Sequence, residues 1–248
     1  APNNDPKDGP DTGDNAWDHL HFGGLSLLDD LHARGYLWAR DFAFRLLISY
    51  YNNKNTPWLR DAGVSNGYQL YGGNGRARCA GWILHALLRC HRIAKRASLP
   101  QFVTAIEQLL WFHVAKSIEA MPFIENGQGD SPLGPTVKHY RIFMIAILVS
   151  ALRRCYLLSG GSGPGAPIAD ALDKLIAIIK AARRGPAIYA YDLACDDAGV
   201  PYQHEKETLT NGVSGVGMWL VDAFKWKPGS ELAELVSDAD AQSWKIKQ

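Results

Sequence analysis

The feature that most constrains the fold is a long succession of helices in which two kinds alternate. The segments "CAGWILHALL" and "IFMIAILVSAL" are apolar almost all round, as in helices buried on every side. The helices that follow them carry one apolar stripe and one polar face. This alternation predicts an all-α fold of helical hairpins with inner and outer helices. The predicted helices lie near residues 17–33, 37–51, 77–95, 101–119, 138–158, 166–183 and 211–225, with a weaker one near 230–241.

The connections between these helices alternate between short and long. The long ones run over residues 52–76, 120–137 and 184–210. Alternate connections of an antiparallel helical array lie at opposite ends, so the long connections are expected to share one end with the N-termini of the inner helices. Loops longer than about 12–15 residues in a compact domain are usually functional or disordered. These are rich in aromatic residues and carboxylates, so we expect a cleft at this end, called here the long-connection end.

The domain organisation is expected to be simple. Residues 1–14 are rich in Pro, Asp and Asn and are typical of a linker or extended arm, whereas 15–248 are expected to form a single helical domain. The best strand candidate is the short piece "AIYAY" at 187–191. Because the chain begins at Ala1 without Met, a mature form or a domain of a larger chain is expected, and neither fixes a cellular location.

Composition excludes several classes of partner. The formal net charge of +1 gives no global reason to expect binding to nucleic acid. The longest apolar run, at 142–152, is shorter than the roughly 20 residues that span a bilayer, so no membrane association is expected. The polar N-terminus shows no signal peptide.

The four cysteines predict neither a disulfide framework nor a metal site. Cys79 and Cys90 lie about three turns apart on one predicted helix, too far to bridge. Cys155 and Cys195 are isolated in the sequence, and no Cys-x-x-Cys spacing occurs. Since the glycines of "GGNGRARCAG" follow a loop rather than a strand, they form no nucleotide-binding motif. We therefore expect four thiols and neither a metal nor a cofactor.

Several predicted helix starts carry cationic side chains. Arg76 and Arg78 stand at the second inner helix, and "KHYR" at 138–141 stands at the third. A cation at a helix N-terminus is unfavourable by ~0.3–1 kcal/mol. Two interpretations remain open. One is an anionic ligand that carries a carboxylate or phosphate, and the other is pairing with loop carboxylates such as Asp61, Glu125, Asp130 or Asp197.

The stretch "WDHLHFGGLSLLDDLHARG", followed by a second helix and then "GRARCAGWILHALLRCHRIA", resembles the (α/α)-toroid domains of carbohydrate-active proteins. The nearest type is the central domain of the rhamnogalacturonan-lyase-like (YetA-like) group. The resemblance covers residues 15–95, and the rest of the chain shares the helical rhythm. The turn "HARGYL" stands where such domains often carry an "LTGD"-like turn. Because the chain has fewer hairpins than a closed ring needs, the resemblance implies an open or incomplete toroid.

The resemblance implies β-elimination on an acidic polysaccharide in a cleft lined by the N-termini of inner helices. This reaction needs a base for the proton α to a carboxylate, and cationic groups that neutralise that carboxylate. The candidate catalytic residues are His19, His21, Tyr71, His139, Tyr202 and His204, with Tyr140 as a further base. The candidate substrate-binding residues are Trp17, Asp18, Trp58, Arg76, Arg78, Tyr140, Arg141 and Glu205.

Two alternatives accompany this hypothesis. Glycoside hydrolysis would need two carboxylates ~5–10 Å apart, drawn from Asp18, Glu125, Asp130 and Glu205. A non-catalytic glycan-binding or assembly module of a larger or viral protein would use the helical array as a scaffold. An enzyme predicts a His or Tyr and an Arg within reach of one site at the long-connection end. A scaffold predicts these groups scattered or paired with carboxylates.

Overall fold

The computed structural model describes residues 24–52, 77–125, 131–186 and 188–211. These ranges are mostly helical, with six α-helices, one 3₁₀ turn and five short strands. The helices are α1 (Gly24–Ala33), α2 (Leu37–Asn52), α3 (Ala77–Arg96), α4 (Pro100–Glu119), α5 (Ile142–Ser159) and α6 (Ile168–Ala181). The strands are β1 (His139–Arg141), β2 (Arg183–Gly185), β3 (Ile188–Ala190), β4 (Asp192–Ala194) and β5 (Leu209–Asn211). The 3₁₀ turn is Gly163–Gly165.

The six helices pack as three sequential hairpins. α1 packs on α2, α3 on α4, and α5 on α6, while α3 also packs against both α1 and α5. α3 and α5 are buried over most of their surfaces, whereas α4 and α6 each bury one stripe and leave one face in water. The expectation of an all-α fold of helical hairpins agrees with this arrangement.

The first helices of the three hairpins, α1, α3 and α5, run in the same direction. The C-terminal half of α1 meets the C-terminal half of α3 where Asp29 contacts Arg92. The N-terminal part of α3 meets the N-terminal part of α5, since a Cβ added at Gly81 would lie 2.8 Å from Ile147 Cγ2. The N-termini of α3 and α5 therefore share one end of the molecule.

α5 is the most apolar helix in the described part of the chain. Its 18 residues have a mean hydropathy of 1.8, so by length and composition it could cross a membrane. However, 61% of it is buried inside the protein, which is the environment of a core helix. The apolar run at 142–152 covers only the first eleven residues of this helix, because "RRCYLLS" extends it to Ser159.

The start of α5 corrects one prediction. The helix expected from residue 138 begins at Ile142, because His139–Arg141 forms β1 and pairs antiparallel with β4. The first helical amide, Ile142 N, donates to Tyr191 O at 3.1 Å. Competing strand pairing thus delays the helix by one turn.

The predicted strand at 187–191 is confirmed as β3, which forms a second antiparallel sheet in the order β2–β3–β5. Three cysteines, Cys90, Cys155 and Cys195, are buried free thiols, as expected. Burial raises the pKa of the Cys90 thiol to about 12 and that of the Cys195 thiol to about 11.

Several expectations lie outside the described residues. They are the arm 1–14, the first helix before Gly24, the connection 53–76 and the helices predicted near 211–225 and 230–241.

Candidate functional site

Two of the long connections meet beside the N-terminus of α5. In the pairing of β1 with β4, Arg141 lies opposite Asp192 and His139 lies opposite Ala194. Glu125 bridges His139 on the other edge of β1. Directly opposite residues share a face of a sheet, and successive residues alternate between faces. Glu125, His139, Arg141 and Asp192 therefore project from one face, and we call them the charged cluster.

The opposite face of β1 and β4 anchors this arrangement in the core. Tyr140 and Leu193 are buried there, and the Tyr140 hydroxyl donates to Gly199 O at 2.9 Å. Gly199 has φ +79, and a Cβ at this position would lie 2.9 Å from the Tyr140 oxygen. Asp196 closes the same turn, because its Oδ1 accepts the amides of Ala198 and Val200. Alternation of charged and apolar side chains thus fixes which face carries the charged cluster.

Within the charged cluster, two carboxylates share one guanidinium nitrogen. Arg141 Nε lies 3.1 Å from Glu125 Oε2 and 3.6 Å from Asp192 Oδ1. The second distance is too long for a direct hydrogen bond. Asp192 is 0% exposed, and neither of its oxygens accepts a hydrogen bond from the described residues. This buried carboxylate is held by charge alone, which is a costly arrangement.

His139 faces Asp192 from the same side. Its Nδ1 lies 3.2 Å from Val137 O, and a carbonyl oxygen can only accept, so Nδ1 carries a proton. In the neutral ring, Nε2 then carries the lone pair. This atom is buried without a hydrogen-bond partner and lies 3.9 Å from Asp192 Oδ2.

Tyr191 stands at the accessible edge of the charged cluster. Its backbone is fixed on both sides, because its amide donates to Thr208 O at 2.8 Å and its carbonyl accepts from Ile142. Its ring stacks on Phe143 at 5.2 Å, and 36% of the residue is exposed. Burial raises the pKa of the Tyr191 phenol, with an opposing effect of Arg141 and then Arg78. The phenol therefore keeps its proton near neutral pH.

Arg78, in the first turn of α3, lies near enough to Tyr191 for its charge to oppose the rise that burial causes in the pKa of the phenol. The Arg78 guanidinium carbon also lies 5.0 Å from the centre of the Trp82 ring, and Trp82 is buried. Among the described residues, parts of two long connections and the N-termini of two helices, α3 and α5, therefore lie at the long-connection end.

The structure distributes the predicted site residues unevenly. It places His139 and Arg141 on one face of β1, and Arg78 lies near enough to affect the pKa of Tyr191, whereas Tyr140 lies on the buried face and has a packing role. Seven candidates lie outside the described residues: Trp17, Asp18, His19, His21, Trp58, Tyr71 and Arg76.

Tyr202, His204 and Glu205 lie along the other edge of β4. The Tyr202 amide donates to Ala194 O at 2.9 Å, on the side of β4 away from β1. The Tyr202 and His204 rings lie 6.2 Å apart, and His204 Nδ1 accepts the amide of Lys206. These contacts order the loop itself, so we do not place the three residues in the charged cluster.

Carboxylate pairing accounts for two of the cations near the start of α5. Lys138 Nζ lies 3.0 Å from Asp197 Oδ1, and Arg141 contacts Glu125. Of the two interpretations of these cations, the described contacts match pairing with loop carboxylates, which is also what the scaffold alternative predicts for them.

Two central residues were missed by sequence reasoning. Tyr191 is the last residue of the predicted strand, and Asp192 follows it in "AIYAYDLAC", where an aspartate interrupts an apolar segment. A charged residue inside such a segment signals a buried ion pair or a site, and this was the signal available. Within the described ranges, no group of three or more His, Cys, Asp or Glu side chains could hold a metal ion.

Comparison of the chain with protein-family models, with curated proteins and with solved structures gave no match. The functional argument therefore depends on the geometry of the charged cluster.

Proposed function

We propose that the protein cleaves an acidic polysaccharide by β-elimination at the charged cluster and Tyr191. The observation that carries this proposal is the contact of Arg141 with the partly exposed Glu125, beside the 36% exposed Tyr191, whose pKa is raised by burial against the opposing charges of Arg141 and Arg78. The three hairpins with inner helices running in one direction support an open (α/α) toroid, the architecture in which the resemblance places such a cleft.

The proposed roles follow from exposure and charge. Arg141 and Arg78 neutralise the substrate carboxylate, which acidifies the proton on the adjacent carbon. Glu125, partly exposed, removes that proton; the electron pair forms a carbon–carbon double bond as the β carbon–oxygen bond breaks. Tyr191, whose pKa is raised, donates its proton to the leaving oxygen. Asp192 and His139 are buried behind these groups and act as positioning residues for Arg141.

Hydrolysis is the second candidate, because two carboxylates lie at one guanidinium. A hydrolase needs both carboxylates against the substrate. Since Asp192 is 0% exposed, this requirement is met less well than the requirements of β-elimination.

The experiment is incubation of the protein with uronic-acid polymers such as polygalacturonate and alginate. New unsaturated ends are followed by ultraviolet absorbance, and new reducing ends are followed separately. We expect both signals to rise together with at least one polymer, because elimination creates both kinds of end. Reducing ends without absorbance would indicate hydrolysis. Binding of a polymer without either signal would overturn the enzymatic proposal and favour the non-catalytic glycan-binding module.

A matched pair of variants connects the activity to the site. Tyr191→Phe removes the phenol and is expected to lower the rate about 10²–10⁴-fold. Tyr36→Phe removes an exposed phenol near the opposite end, in the short connection between α1 and α2, and is expected to leave the rate unchanged. Equal rates for both variants would remove Tyr191 from the mechanism.

A further inference from the structure

A second charged group lies near the other end of the helices, away from the long connections. Arg89, Arg92 and Arg96 occur at i, i+3 and i+7 on α3, so they share one face of the helix. All three reach the same carboxylate, that of Asp29 on α1. Asp29 is 3% exposed. One buried carboxylate therefore fixes three guanidinium groups.

The contacts of Asp29 are shared unequally. Arg92 Nη2 lies 2.5 Å from Oδ2, and Arg96 Nη2 lies 3.2 Å from Oδ1. Arg89 Nη1 is more distant, at 3.4 Å from Oδ2. Arg96 Nη1 also donates to the backbone oxygen of Asp29 and lies 3.3 Å from His32 Nδ1.

Positive charge exceeds negative charge in this group. Three guanidinium groups face one carboxylate, and the C-terminal ends of α1 and α3 add roughly half a negative charge each. About one positive charge therefore remains uncompensated. The pKa shifts of Arg89, within the group, and of His32, beside it, agree with this excess. Burial and then Arg92 and Arg154 lower the pKa of Arg89, and burial and then Arg96 and Arg40 lower the pKa of His32.

Two of the three arginines in this group are partly exposed to water. The side chains of Arg92 and Arg96 are 48% and 39% exposed. Each guanidinium has five N–H donors. The contacts with α1 use one donor of Arg92 and up to three of Arg96, so each group keeps at least two. Asp29 already restrains both guanidinium groups. Binding of an anion would therefore cost less side-chain conformational entropy than binding to two free arginines.

We propose that Arg92 and Arg96, held by Asp29, bind a tetrahedral oxyanion, phosphate or sulfate, either free or as an ester on a larger molecule. Planar guanidinium groups match two oxygens of such an anion, and charge-assisted bonds of this kind are the strong ones. The site is independent of the proposed cleavage reaction and lies on a different part of α3.

The test measures thermal unfolding of the full chain in sodium phosphate or sodium sulfate, with ionic strength matched by sodium chloride. A ligand that binds the native state raises the unfolding midpoint. Sulfate and phosphate also stabilise proteins generally by exclusion from the surface, so the comparison between variants decides the outcome. Arg92→Gln with Arg96→Gln should lose the specific rise. Lys95→Gln removes the exposed lysine of the same turn and should retain it.

Calorimetric titration with inorganic phosphate gives the direct measure. The double variant is expected to bind about tenfold more weakly or worse than the wild type, and Lys95→Gln should bind as the wild type does. Equal midpoint shifts and affinities in all three proteins, or no response of the wild type, would overturn the proposal. Should the double variant not fold by circular dichroism, each single arginine variant carries the same comparison.

A second arm distinguishes the two sources of the anion. Dextran sulfate is compared with neutral dextran and with inorganic sulfate. Tighter binding of dextran sulfate through the same two arginines would identify a polymer-borne ester. If inorganic sulfate and dextran sulfate bind with equal affinity per site, the free ion is a sufficient ligand. Dextran sulfate binding that survives the loss of both arginines would contradict the assigned site.

Discussion

Two ionisable side chains in this protein, those of His113 and Asp192, are fully buried. His113 on α4 is 0% exposed, and burial lowers its pKa from 6.5 to about 4. Asp192 is equally buried, but it has Arg141 and His139 beside it. The two differ in their surroundings: burial disfavours the charged form of the His113 ring, whereas Asp192 lies beside the Arg141 guanidinium.

His113 gives a prediction for stability against pH. Between about pH 6.5 and 4 the unfolded chain binds a proton at this residue that the folded chain does not. Its contribution is therefore fully present above pH 6.5 and is lost as pH falls towards 4, by ~3 kcal/mol at most. Urea unfolding at several pH values measures this loss, and His113→Gln should lose less stability over that window. Identical pH dependence in both proteins would contradict the prediction.

At the scale of elements, one glycine sets the distance between the two central helices. A Cβ at Gly81 would lie 2.9 Å from Leu148 N and 3.0 Å from Ile147 C, and backbone atoms cannot move aside as a side chain can. α3 and α5 therefore approach closely where their N-terminal turns meet, near the charged cluster.

Gly81→Ala is expected to destabilise the protein by about 1–3 kcal/mol through overpacking, despite the better helix propensity of alanine. Gly185→Ala is the control, because a Cβ there would meet only Ile188 Cδ1 at 3.8 Å. Chemical unfolding measures both variants. A Gly81→Ala protein as stable as the wild type would show that the helices can separate without cost.

An ion pair ties the loop before β5 to β2. Arg184 Nε and Nη2 lie 2.5 Å and 2.7 Å from the two Glu207 oxygens, and the Glu207 side chain is 4% exposed. Glu207→Gln is expected to destabilise the protein by about 3–5 kcal/mol, because it leaves the Arg184 charge partly buried and unpaired. Glu119→Gln breaks the exposed pair with Lys116 and should change stability by about 1 kcal/mol or less. Similar losses in both variants would contradict the assigned difference in burial.

The helices were predictable from the sequence because their signal is local. α3, α4 and α6 agree with the expected ranges to within a few residues, since apolar periodicity is read along a single segment. The residues of β1 were predicted as part of a helix starting at residue 138. Their strand structure depends on pairing with β4, more than fifty residues away in the sequence. Pairing at such a distance leaves no periodicity within the segment itself.

At the scale of the whole molecule, two connections distant in sequence bring Glu125, Arg141 and Asp192 together. The gathering of long connections at one end was predictable from their alternation with short ones. His139, Arg141 and Arg78 could be named from the sequence as candidate site residues because cations at helix starts are unusual. Asp192 and Tyr191 were not, since their roles arise from the register of β4 against β1.

The measurement that tests the central claim most directly is a double-mutant cycle on Arg141→Gln and Asp192→Asn. The free energy of unfolding is measured by urea titration for the wild type, both single variants and the double variant. Because the two side chains face each other across β1 and β4, we predict a coupling free energy of about 1 kcal/mol or more. Additive effects, to within about 0.3–0.5 kcal/mol, would mean that the two long connections do not meet as described and that the charged cluster does not form.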